Sequence, residues 1–166
     1  MARGKGERFS GTFFVEFVVP GTPIVLPSVA TIHKDGTGMS VDATDGGLGP
    51  DFNAPGFFVN TVSQGNWKRT GKRTIISKSV FFNFLKPDDP SNPDNLHGIL
   101  ASISKLTTVA HYDERYETIH GQVCEQMAFV DGGFYNPGED NPLDLPDIDC
   151  TPESSGAFLF TGRRIR

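Results

Sequence analysis

Residues 65–84 read GNWKRTGKRTIISKSVFFNF. Asn66 to Arg69 run into Thr70-Gly71-Lys72, and the chain then returns through Ile75, Ile76 and Val80 to Phe84. The return run is rich in β-branched and aromatic residues, which suit a pleated, half-buried surface. Glycine at the turn can take a positive φ without steric cost. The stretch therefore predicts a strand, a tight turn and a longer strand. A hairpin of this kind points to a fold and leaves the chemistry open.

The same pattern extends in both directions. A first strand is expected from Thr12 to Val19, with Phe13, Val15, Phe17 and Val19 on one face and Thr12, Phe14, Glu16 and Val18 on the other. Pro20-Gly21-Thr22-Pro23 ends it, because proline removes a ladder donor. A second strand, about Ser28 to Lys34, meets the hairpin turn Asp35-Gly36, and a third runs from about Gly38 to Ala43. Asp45 to Gly56 reads as loop, and Phe57 to Val62 as a short strand or a flap over one end of the domain. Lys86 to Asn95 is a polar, proline-rich loop. Gly98 to Tyr112 and Tyr116 to Val130 are long strands joined by a turn at Asp113-Glu114-Arg115. Asp131 to Ser155 is a long acidic loop, and Gly156 to Ile165 is the last strand.

No segment shows helical periodicity over eleven or more residues. The count comes to about seven to nine antiparallel strands, and such a sheet must close or fold over to hide its edges. The expected fold is all-β: one up-and-down antiparallel β-barrel of about eight strands, with residues 1–166 as a single domain. A two-sheet β-sandwich is the alternative.

Composition removes several classes of function. A net charge of −5 argues against a general nucleic-acid binder, which needs a basic stripe to neutralise phosphates. The local basic groups Lys68, Arg69, Lys72 and Arg73, and Arg163, Arg164 and Arg166, read as solvated charges. No apolar run is long enough to span a bilayer as a helix. The N-terminal segment starts basic like a signal peptide, but Glu7 and Glu16 interrupt it and its apolar run is short. A cytoplasmic location is therefore favoured, with a mature secreted or periplasmic form as the alternative if a leader has been removed.

Cys124 and Cys150 lack metal-type spacing; two unpaired thiols are the expected state, and a disulfide between them stays open. His33, His97, His111 and His120 form no HxH or HExxH pattern, so no metal site is expected. Asp144, Asp147 and Asp149 fit no EF-hand spacing and read as a solvated acidic loop. G-x-S-x-G, Walker and dinucleotide glycine patterns are absent from the sequence, and no cofactor is expected. Phe13-Phe14, Phe57-Phe58 and Phe81-Phe82 are doublets that would each place one ring inside a barrel and one outside. Outward phenylalanines suit a subunit interface, so a homo-oligomer, dimer or trimer, is expected.

Three stretches resemble a known group. Pro27–Thr37 (PSVATIHKDGT), Gly65–Arg73 (GNWKRTGKR) and Thr161–Ile165 (TGRRI) resemble bacterial lipocalin-like (calycin-type) small β-barrel proteins. In that group a strand ends in a D-G-T turn, a G-x-W motif precedes a basic turn, and the last strand closes with G-R-R. Gly11-Thr12-Phe13 stands where lipocalins proper carry G-x-W, with phenylalanine in place of tryptophan. The chain is also similar to the allene oxide cyclase and dirigent barrels, which handle apolar small molecules and are often trimeric. The resemblance implies a lumen that holds a hydrophobic or amphipathic ligand. It carries over no catalytic residue.

Glu125 is the main candidate for chemistry. It shares a strand face with Glu117, Ile119, Gly121, Val123, Met127 and Phe129. If that face lines the lumen, desolvation raises its pKa and suits it to general acid–base work. The opposite face, with Tyr116, His120 and Cys124, is more polar and expected outside. His33, just before the Asp35-Gly36 turn, is a candidate base at the barrel rim. Lys78 and Asn83 interrupt the apolar return strand on opposite faces, so one reaches inward.

Two functions fit this pattern. The favoured one is a cofactor-independent isomerase, cyclase or lyase acting on a hydrophobic small molecule in the lumen. Glu125 would transfer the proton, His33, Asn83 or Tyr116 would assist, and Phe17, Trp67, Phe82, Phe84, Met127 and Phe129 would contact the ligand. The alternative is a non-catalytic carrier of a small lipophilic ligand. A structural barrel with a filled lumen is a third reading.

Overall fold

The computed structural model describes residues 9–42, 58–85, 100–130, 136, 141, 144–154 and 156–166. Among these residues nine strands are formed: β1 (Gly11–Val18), β2 (Val25–Ile32), β3 (Thr37–Asp42), β4 (Phe58–Asn60), β5 (Ser63–Arg69), β6 (Thr74–Leu85), β7 (Leu100–Asp113), β8 (Thr118–Phe129) and β9 (Phe158–Arg164). The described residues contain no helix, so none is long and apolar enough to cross a membrane. All pairings are antiparallel, and the sheet closes when β6 pairs with β7 and β9 with β1. The result is a closed eight-strand barrel. β4 and β5 count as one stave, because both lie on β6 and are separated only by Thr61 and Val62. At that break the Thr61 hydroxyl accepts from the Phe82 amide at 3.0 Å, replacing a ladder bond.

Strand bounds differ from expectation by a few residues. β2 starts at Val25, so Pro27 falls inside it, paired with Glu16. β3 has its last residue opposite Ser28, which leaves Pro27 with one described strand neighbour. Such a position tolerates the missing donor. The hairpin turn between β5 and β6 also differs: Gly71 does not adopt a positive φ. The four-residue connection is held instead by Arg69, whose Nε donates to the Gly71 carbonyl (2.6 Å) and whose NH2 donates to that of Lys72 (2.8 Å). The Asp35-Gly36 turn follows the expected form. Gly36 has φ 92°, and Asp35 Oδ1 accepts from both the amide and the hydroxyl of Thr37. The expected loops at Asp45–Gly56 and Lys86–Asn95 lie outside the described residues, as do His97 and the Phe57 member of its doublet.

Alternation sorts side chains into an inner and an outer set. Phe13 and Val15 are fully buried while Phe14, between them, is 46% exposed; Phe81 is buried and Phe82 is 43% exposed. Asn83 is buried and Lys78 is exposed, as their opposite parity requires. Inward-facing glycines let the small barrel coil tightly. A Cβ on Gly121 would lie 1.9 Å from the Val109 carbonyl oxygen, and one on Gly65 would lie 2.0 Å from that of Lys78.

The three short connections, after β2, β5 and β7, lie at one end of the barrel. Aromatic rings fill that end. Phe9 packs at 6.1 Å from Trp67 and 5.9 Å from Tyr112, and Phe13 lies edge-on to Tyr112 at 6.2 Å. The Arg164 guanidinium stacks over Phe13 and Tyr112 and donates to the Ser10 carbonyl at 2.7 Å.

The β8–β9 connection runs along the outside of the barrel. Cys124, outward on β8, is disulfide-bonded to Cys150, which corrects the expectation of two unpaired thiols. Gln122 Nε2 donates to the Cys150 carbonyl at 3.0 Å, and Val109 and Ile148 pack against the bridge. Further along, the buried Lys105 ammonium donates to the Leu145 carbonyl and to Asp147, which also pairs with Lys78. Both ammonium groups hold the Asp147 carboxyl below the usual carboxylate range.

Candidate functional site

The barrel encloses a cavity of about 380 Å³, within the range of small-molecule sites. Its existence follows from which residues point inward. On β3, β5 and β6 successive inner positions are small: Gly38, Ser40, Ser63, Gly65, Ser77 and Ser79, with the larger Trp67, Ile75 and Phe81 next along β5 and β6. Facing them, β1 and β9 supply Val15, Phe17, Phe158 and Phe160, with Phe17 and Phe160 5.5 Å apart. The small positions opposite a large apolar wall leave a hollow rather than a solid core.

The hollow is polar at the end away from the short turns. There Asp42, Asn60, Thr61, Ser63 and Glu125 line it. Glu125 Oε1 accepts a 2.5 Å hydrogen bond from the Ser104 hydroxyl. Asn83 Nδ2 in turn donates to Ser104 Oγ at 2.7 Å and to Ser102 Oγ at 2.9 Å. Asn83, Ser102 and Ser104 are all buried, with Ser102 and Ser104 fully so. Burial pushes the Glu125 carboxyl above its ordinary range, the Ser104 bond opposes that shift, and the negative charge of Asp42 adds to it. A carboxyl of this kind, oriented by a hydroxyl that is itself held by an amide, can hold or move a proton at Oε1 or Oε2.

Two of the expected site residues, Glu125 and Asn83, are therefore brought together through Ser104. The other two are not. His33 is exposed at the short-turn end, where its carbonyl accepts from Trp67 Nε1 at 2.9 Å. Tyr116 is 61% exposed in the β7–β8 turn at that same end, stacked by Arg115. Both sit beyond the aromatic plug from Glu125, because β2 and β7 run toward the short turns before reaching them. Among the expected ligand contacts, Phe17 and Trp67 line the cavity. Phe82 faces outward, and Phe84, of the same parity on β6, is not part of the lining. Met127 and Phe129 follow Glu125 on its strand face but run past the cavity, 41% and 67% exposed.

Ser104, Ser102 and Asp42 are site residues that sequence reasoning missed. For the two serines the signal was the alternation Ser102, Ser104, Leu106, Thr108 on β7, where hydroxyls share a face with an apolar neighbour. Outside the barrel, His111 and His120 are cross-strand partners with ring centroids 5.5 Å apart, and His111 Nδ1 is 3.0 Å from the Thr74 hydroxyl. Among the described residues no three His, Cys, Asp or Glu side chains are grouped to hold a metal. No protein-family model, curated protein or solved structure matches this chain.

Proposed function

We propose that the barrel binds a small hydrophobic molecule in its cavity and that Glu125 transfers a proton on it, as a cofactor-independent isomerase, cyclase or lyase would require. One observation carries this reading: a half-buried carboxyl, raised by desolvation and bonded to Ser104, lines an otherwise mostly apolar hollow. Water exclusion and a fixed orientation are what such a protein contributes to a proton transfer. The similarity to lipocalin-like, allene oxide cyclase and dirigent barrels agrees with a lumenal ligand and belongs to the same proposal. The placement of His33 and Tyr116 at the far end favours the second reading, a non-catalytic carrier, because neither can assist Glu125. Exposed Phe14, Val29, Val41 and Phe82 on the outer face agree with assembly into a homo-oligomer. The disulfide supports an oxidising compartment, hence the secreted or periplasmic location over the cytoplasmic one.

The test begins with native mass spectrometry of purified protein to identify a retained molecule. That molecule is then incubated in deuterium oxide with wild-type protein and with Glu125→Gln. Deuterium incorporation by the wild type and none by the variant supports proton transfer. Retention without exchange in either protein leaves the carrier, and no retained or added apolar molecule at all removes both.

A further inference from the structure

We infer that the cavity takes an apolar molecule with a cationic head group, such as an alkyl or aryl ammonium, in preference to one with a carboxylate. This rests on the reading of the cavity as a ligand site and names the class of ligand. The lining is charged in one sense only. Asp42 and Glu125 are its ionisable residues, and no Lys, Arg or His is among the described residues that line it. Both carboxylates lie at the same end, beside the hydroxyls of Ser40, Thr61 and Ser63. The remainder is built from Val15, Phe17, Ile75, Leu106 and Phe160. A ligand would therefore be oriented head toward Asp42 and Glu125, body toward the aromatic plug.

Among the described residues, Arg164, Lys78 and Lys105 are cations engaged away from the cavity. Arg164 lies at the short-turn end, against Phe13 and Tyr112 and bonded to Ser10. Lys78 and Lys105 are on the outer face, bound to Asp147. An entering carboxylate would lose its hydration, meet two like charges and find no described counter-charge. An ammonium would meet acceptors of opposite charge and hydroxyl groups able to complete its hydrogen bonds. An ammonium beside Glu125 would also favour its ionised form.

Decylamine, decanol and decanoate share a chain and differ in the head group. The single tryptophan, Trp67, lines the cavity and reports their binding through its emission, with calorimetry as the second readout. At neutral pH decylamine is expected to bind at least about tenfold more tightly than decanoate, with decanol between them. In the double variant Asp42→Asn/Glu125→Gln, checked for folding by circular dichroism, the amine-to-carboxylate ratio should fall toward one. The wild-type series decides the matter even if that variant does not fold. Decanoate binding as tightly as decylamine overturns the inference while leaving the cavity a ligand site. Failure of all three to bind overturns both.

Discussion

Opening the Cys124–Cys150 bridge should cost the protein about 3.5 kcal/mol, almost all of it through the unfolded chain. The two cysteines are 26 residues apart. The loop-closure relation for a loop of about that length gives an entropy near −12 cal/mol/K, or about 3.5 kcal/mol at 25 °C. Folded-state losses should be smaller, because the strap keeps its other ties. Gln122 still reaches the Cys150 carbonyl, and Lys105 still reaches Leu145 and Asp147. For a chain of this length the shift in Tm should be roughly 7–14 °C. Urea unfolding followed by Trp67 emission, with and without reductant and again for Cys124→Ala/Cys150→Ala, measures it. The cavity should survive, since Cys124 points out of β8 where Glu125 points in. Decylamine affinity measured below the transition should therefore be unchanged. Equal midpoints for oxidised and reduced protein would refute the reasoning, and so would two titratable thiols in protein that has never been reduced.

Gly121→Ala places a methyl against the Val109 carbonyl and should destabilise by at least about 3 kcal/mol, read from the urea midpoint; a neutral result would mean the strands there are farther apart than described. Glu125 has a raised native pKa, so between its ordinary value of 4.5 and that raised value the folded state binds more protons than the unfolded one. Stability attributable to it is thus full below the ordinary value and falls as pH rises through the native one; Glu125→Gln should flatten that part of the Tm-against-pH curve. The groups facing this carboxyl are Ser104 from β7, with Asn83 of β6 behind it, and Asp42 from β3. Ser104→Ala removes the one hydrogen bond that opposes the shift, so the Glu125 carboxyl should titrate higher still by carbon-detected NMR. Ser77→Leu puts a branched side chain into the hollow and should weaken decanol binding at least about tenfold while the barrel remains folded by circular dichroism.

Much of the barrel was legible because strand alternation is a local property. Phe13 against Phe14 and Phe81 against Phe82 carry their inside–outside assignment in adjacent residues. The Asp35-Gly36-Thr37 turn is likewise local, since one aspartate oxygen accepts from two groups two residues on. The disulfide was not legible. Cys124 sits mid-strand and Cys150 in a connection, and only the path of that connection over the outer face of β7 and β8 brings the sulfurs together. The turn at Gly71 misled for a related reason: a glycine suggests positive φ, but the arginine before it supplies the donors that hold the connection instead.

The site divides along the same line between what is local and what depends on register. Parity grouped Glu125 with Ile119 and Val123 and set Asn83 opposite Lys78, and the barrel turns the Glu125 face and Asn83 inward. Which end of the barrel each residue occupies depends on how far its strand has run, and that is fixed by pairing. β6, β7 and β8 have 12, 14 and 12 residues against 6 to 8 in β1 to β3, so the long strands set the polar end. Asn83 pairs with Ser102 and Glu125 with Leu106, a register that brings the amide, two hydroxyls and the carboxyl to one level of the barrel. His33 and Tyr116, expected to assist Glu125, end beyond the plug, because both follow strands that run toward the short turns. A carboxyl with no histidine or tyrosine beside it among the described residues is better matched to a ligand that brings its own charge. That is why the head-group comparison, rather than a search for a second catalytic side chain, tests what this cavity is built to hold.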